Sequence, residues 1–140
     1  MTENPMDMKP VPAANADSRA FWEACNRQAL TYQKCRACGH AQFYPRALCT
    51  ACGKAELDWA EASGLGTVYT FTINHRAPTP AFKVDAPYVI ALIDLDEGYR
   101  MMMNVINCAL QDVSIGMRVR IAFEARGADG EQLIPQAEPA

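Results

Sequence analysis

Two copies of Cys-x-Ala-Cys-Gly, at 35–39 and 49–53, constrain this chain more than any other feature. In each copy two thiols stand three positions apart, within reach of one ion from a tight turn, and the glycine behind them is free to take φ > 0. The stretch between Cys38 and Cys49 is shorter than the roughly 15–20 residues common between such pairs, yet a hairpin of that length still brings two knuckles together. The pattern predicts one tetrahedral four-sulfur site with Cys35, Cys38, Cys49 and Cys52 as ligands. Structural zinc is the expected metal, with iron in a rubredoxin-like centre second to it.

Other uses of the cysteines fit less well. Disulfides need an oxidising compartment, and the N-terminal stretch MTENPMDMKPVPAANA lacks the apolar core of a signal peptide. A thioredoxin-like motif would be a single Cys-x-x-Cys without a matched second pair. Cys25 and Cys108 fall outside the pattern and read as small buried apolar residues.

The 140 residues are half apolar, enough for one ordinary core or a small module joined to a compact domain. No apolar run reaches the about 18 residues that suggest a membrane span, so a cytoplasmic protein is expected. Net charge is −3, unevenly placed. Residues 19–54 carry six basic side chains (Arg19, Arg27, Lys34, Arg36, Arg46, Lys54) against Glu23 alone. The later part of the chain carries six basic against twelve acidic residues, for −6. Part of the basic excess would neutralise a four-thiolate site.

Three segments are expected: a flexible tail over 1–16, an N-terminal helix and ribbon over 17–57, and a barrel over 58–140. Pro5, Pro10 and Pro12 and the absence of periodicity mark the tail. Asp17 or Ser18 offers an N-cap, and Phe21, Trp22, Cys25 and Ala29 fall on one helical stripe. Leu30, Tyr32 and Lys34 lead as a strand into the first knuckle. Phe43, Tyr44 and Pro45 are expected to cover the metal site, and Trp59 to anchor the join at 56–66.

Beyond the join the pattern turns to strands. A β-branched and aromatic run covers 67–75, and Tyr88–Leu95 turns through Asp96-Glu97-Gly98 into 99–106. Met117 to Glu124 alternates with a period of two, and a short last strand is centred on Leu133 and Ile134. Five strands in so short a span predict a closed barrel of the oligonucleotide/oligosaccharide-binding (OB) type. The fold class is therefore mainly β: an N-terminal helix, a rubredoxin-like four-cysteine zinc ribbon, and a five-stranded OB-fold barrel.

That order of modules, with Phe21-Trp22-Glu23, Gly66-Thr-Val-Tyr-Thr-Phe-Thr72, His75-Arg76-Ala-Pro78, Asp85-Ala-Pro-Tyr88, Asp94-Leu-Asp-Glu-Gly98 and Ile115-Gly-Met117, resembles the zinc-ribbon OB-fold family associated with acyl-CoA enzymes. The likeness covers about residues 18–137. It implies a non-catalytic accessory subunit that binds acyl-CoA or docks on a thiolase-like, hydratase or aldolase enzyme of lipid or sterol side-chain metabolism.

The residues themselves agree with a protein that is not an enzyme. His40 and His75 are the only histidines, and neither sits in a recognisable catalytic set. Asp94, Asp96 and Glu97 read as hairpin-tip residues placed for solubility and turn geometry. The Met101-Met-Met103 run reads as barrel core, with a flexible acyl-chain lining as the other use. For CoA contacts the expected set is Arg36, Arg46, His75, Arg76 and Lys83, from the basic ribbon and the proline-rich loop at 76–86. Two alternatives stand. One is a module binding single-stranded nucleic acid through Tyr69 and Phe71, which the acidic barrel disfavours. The other is a purely structural adaptor.

Overall fold

The computed structural model describes residues 8–140, so residues 1–7 of the expected tail lie outside the described residues. Helix α1 (Arg19–Asn26) starts behind Ser18. The Ser18 hydroxyl does not cap the helix, because it accepts the Asn15 N–H at 3.0 Å while Asn15 Oδ1 accepts the N–H groups of Asp17 and Ser18. The helix buries Phe21, Ala24 and Cys25. Its last turn is tied to the barrel where the Leu133 N–H donates to Asn26 Oδ1 at 2.8 Å.

The ribbon is a three-stranded antiparallel sheet with β1 (Thr31–Cys35) between β2 (Ala41–Gln42) and β3 (Leu57–Glu61). Strand β3 pairs with the whole of β1, from Thr31↔Glu61 to Cys35↔Leu57. The expected join is thus a strand of the ribbon sheet. Trp59 does not anchor it: the side chain is 39 % exposed on that strand.

The second module is a closed barrel of β4 (Leu65–Asn74), β5 (Tyr88–Leu95), β6 (Tyr99–Val105), β7 (Arg118–Arg126) and β8 (Gln132–Pro139), in the order β4-β5-β6-β8-β7. All pairs are antiparallel except β6 with β8, joined at Val105↔Ala137. The pleat of the strands decides which side chains go inside: Val89, Ala91, Ile93 and Leu95 on β5 and Met101, Met103 and Val105 on β6 are buried. At Gly66 a β-carbon would meet the Asp94 carbonyl oxygen at 2.8 Å, so only glycine lets β4 approach β5 there.

Helix, ribbon and barrel share one core, in which Phe21, Cys25, Leu30 and Tyr32 pack with barrel residues Val68, Ile93, Tyr99 and Val119. Phe43 belongs to that contact. Its ring lies 4.8 Å from Phe21 and 6.4 Å from Tyr99. The aromatic residues between the knuckles therefore bridge the modules, and Tyr44 is exposed, where the sequence suggested a cover for the metal site.

Candidate metal centre and surface clefts

Each knuckle is built by the same backbone device. The Gly39 N–H donates to the Cys35 carbonyl and the Gly53 N–H to the Cys49 carbonyl, both at 2.9 Å. The glycines take φ of 78° and 77°, the left-handed region that favours glycine. The two turns bring the sulfurs of Cys35, Cys38, Cys49 and Cys52 within 4.8 Å of one another. Cys35 and Cys52 sulfurs are 3.7 Å apart, and those of Cys38 and Cys49 3.6 Å. A tetrahedron of sulfurs about 2.3 Å from a central ion has edges of about 3.8 Å, so the geometry fits one four-coordinate metal.

The electrostatics point the same way. The Cys52 and Ala51 amides aimed at Cys49 hold its thiol down to about 6. The His40 amide also lowers Cys38, but burial and the neighbouring sulfurs outweigh it and push that thiol up to about 12. Four sulfurs this close ionise together only around a cation. His40 stands outside the shell, its Nε2 3.1 Å from Thr50 Oγ1.

Two buried glutamines hold the loop that carries the second knuckle, and nothing in the sequence pattern marked them. Gln33 Nε2 donates to the Arg46 carbonyl at 2.8 Å, and its Oε1 accepts the Arg46 N–H and Gln42 Nε2, each at 2.9 Å. Gln42 Oε1 accepts the Thr50 N–H at 2.9 Å, one residue beyond Cys49. The alternation of Tyr32 with its polar neighbours places Gln33 on the solvent side, whereas β1 turns it inward beside Tyr32.

The structure does not bring together the five polar side chains expected to contact CoA. Arg36 pairs with Asp58 on the ribbon, and Arg46 lines a cavity of about 320 Å³ between the ribbon loop and Tyr99. His75, Arg76 and Lys83 are exposed around the loop beyond Asn74. Gly66↔Leu95 marks the ribbon end of the β4–β5 pair and Asn74↔Tyr88 its other end, a distance of about 26 Å along the strand. The hairpin carboxylates are structural: Asp94 holds Arg100, Asp96 holds Arg118 and Glu97 accepts the Ser63 N–H.

Tyr69 is 51 % exposed but covered by the Arg100 guanidinium, 3.6 Å from its ring centroid, and Phe71 faces inward opposite Ala91. Neither presents the free stacking surface that nucleic-acid binding was expected to use. Cys25 is fully buried, whereas Cys108 is only half-buried and lines a cavity of about 380 Å³ under the 80–88 segment.

Comparison with known proteins matches the site to a family. Residues 22–58 fit the model described as ChsH2, rubredoxin-like zinc ribbon domain, and residues 59–124 fit ChsH2, C-terminal OB-fold domain. A DUF35 domain-containing scaffold protein of Methanocaldococcus jannaschii is 40 % identical over 114 residues, covering 81 % of this chain and 80 % of its own. The chain belongs to the DUF35 family of zinc-ribbon OB-fold proteins. A protein of Thermomonospora curvata described as "Probable enoyl-CoA hydratase alpha subunit" is 36 % identical over 99 % of the chain, which spans 42 % of that relative. A solved DUF35 structure described as "Ltp2-ChsH2(DUF35) aldolase" superposes with a TM-score of 0.81 at 35 % identity, over 92 % of this chain and 98 % of that one. The family assignment agrees with the four-cysteine ribbon and the closed barrel. Among the described residues no helix is long and apolar enough to cross a membrane.

Proposed function

We propose that this protein is a non-catalytic accessory subunit that docks on an acyl-CoA-processing enzyme, of thiolase-like, hydratase or aldolase type, and helps hold its thioester substrate. The observation that carries this reading is the span of the likeness: nearly the whole chain matches less than half of a hydratase alpha subunit. The same module thus stands beside further chain in that relative. Three relatives named DUF35 scaffold proteins support a non-catalytic role, and lipid or sterol side-chain metabolism is the setting in which such an enzyme would work.

Zinc is the metal we assign to the ribbon. With four thiolates it has a closed shell and no position for water or substrate, so its part is to hold the two knuckles together. Arg36 and Arg46 at the ribbon, and His75, Arg76 and Lys83 at the far loop, remain the proposed polar contacts, divided between two ends of the molecule. The first set would meet the partner and the second the CoA phosphates.

Co-purification of the tagged full chain from its native source tests the reading. The expected result is a stoichiometric complex with one identified acyl-CoA enzyme, whose affinity for acyl-CoA falls when Arg76 and Lys83 are both changed to alanine. Recovery of the chain without such an enzyme, or tight salt-sensitive binding of single-stranded nucleic acid, would contradict it.

A further inference from the structure

The Met101-Met-Met103 run splits in two. Met101 and Met103 enter the core, while Met102 points outward and is 71 % exposed. It does not stand alone. Met102, Trp22 and Pro135 are shared by two adjoining cavities of about 390 and 330 Å³, one reaching Tyr44 and Arg100 beside the ribbon loop, the other reaching Tyr88 and Arg126. Each lies within the about 300–1,000 Å³ of small-molecule sites, and the join between two modules is a common place for them.

The groove they form is apolar along its length and polar at its ends. Arg126 closes one end: its side chain is 11 % exposed, and its Nε meets Glu124 at 3.3 Å and its Nη1 the Pro10 carbonyl at 3.2 Å. Among the described residues its Nη2 has no partner. Arg100 closes the other end but is already committed through two nitrogens to Asp94. An apolar floor ending at a mostly buried guanidinium with a spare N–H is complementary to an aliphatic chain whose head accepts hydrogen bonds.

We propose that this groove binds an aliphatic acyl chain, with Met102, Trp22, Ile90 and Pro135 along the chain and Arg126 donating to its carbonyl or carboxylate. The proposal rests on the acyl-CoA reading above and names the part of the substrate that the barrel holds. Methionine suits the wall, because its unbranched thioether adapts to chains of different shape. No CoA moiety and no partner enzyme is needed for such binding, which separates its test from that of complex formation.

The test uses the full chain with Trp59→Phe, which leaves Trp22 as the tryptophan reporter, and sodium dodecanoate below its micellar concentration. Saturable change in Trp22 emission is expected. Met102→Asp, at an exposed position that keeps the fold, should weaken binding about tenfold, since a charge then faces the chain. Arg126→Gln should weaken dodecanoate by about tenfold and dodecanol much less, because the alcohol oxygen accepts a hydrogen bond from either side chain but carries no charge. Absence of saturable binding, or equal affinity in Met102→Asp, overturns the proposal. If dodecanoate fails to bind while Met102→Asp abolishes the enzyme complex, the groove is a protein interface and the proposal falls, whereas the accessory-subunit reading stands.

Discussion

The ring of Tyr32, in the central ribbon strand, stacks on that of Tyr99, the first residue of β6, with centroids 4.6 Å apart and planes inclined by 18°. Both rings are buried, and they join ribbon to barrel in one core. Replacing either by alanine should cost about 3–5 kcal/mol, and a double-mutant cycle should show about 0.5–1.5 kcal/mol of coupling. Among the described residues the buried Tyr99 hydroxyl has no partner, and burial holds it protonated well above the ordinary phenol range. Tyr99→Phe should therefore be at least as stable as the parent in urea unfolding.

The glutamine pair behind the knuckles gives a second expectation. Gln42→Ala removes the acceptor for the Thr50 N–H and a donor to Gln33, and loss of such bonds should cost about 0.5–1.5 kcal/mol each. Metal retention should weaken by about 10–100-fold, the usual range for a group supporting a ligand. Competition with a chromophoric chelator measures it. Cys49→Ser should lose the metal outright. Because Leu30 and Tyr32 share the barrel's core, the barrel should unfold at lower urea in that variant as well.

Gly66 is fixed by the close approach of β4 to β5. A methyl group there would meet the Asp94 oxygen at 2.8 Å and Ile93 Cγ2 at 2.9 Å. Gly66→Ala should destabilise by roughly 1–3 kcal/mol, read as a shifted urea midpoint with an unchanged slope.

Acid should act through paired carboxylates. The Arg118 guanidinium holds Asp96 below the ordinary carboxylate range, and Asn107 with Arg120 does the same for Glu138. A carboxyl with a depressed folded-state value contributes stability above its unfolded value and loses it as pH falls through the folded one. The urea midpoint should thus decline between about pH 5 and pH 2. Asp96→Asn should make that decline shallower, which unfolding curves at stepped pH will show.

Much of this architecture could be read from residues in order. The repeated Cys-x-Ala-Cys-Gly marks both knuckles, because few other folds need paired thiols each followed by a left-handed glycine. The apolar run of Tyr88 to Leu95, closed by Asp96-Glu97-Gly98, gives β5 with its bounds. What could not be read is how the modules face one another. Phe43 looked like a cover for the thiols because sequence distance suggested it, whereas its ring partners lie in α1 and β6. Trp59 looked like an anchor because it is large, yet β3 turns it toward solvent. The CoA contacts were grouped by charge alone, and strand length parts them. Met102 and Arg126 were invisible as a pair because only barrel closure sets β6 and β7 around one groove.

The most direct measurement compares turnover of an acyl-CoA thioester by three samples: the purified chain, the co-purified enzyme stripped of it, and the reconstituted complex. The account predicts no turnover by the chain alone, and a rate or substrate affinity in the complex that the stripped enzyme lacks, with about one zinc retained per chain. Turnover by the chain alone, or a stripped enzyme indifferent to its return, would contradict it.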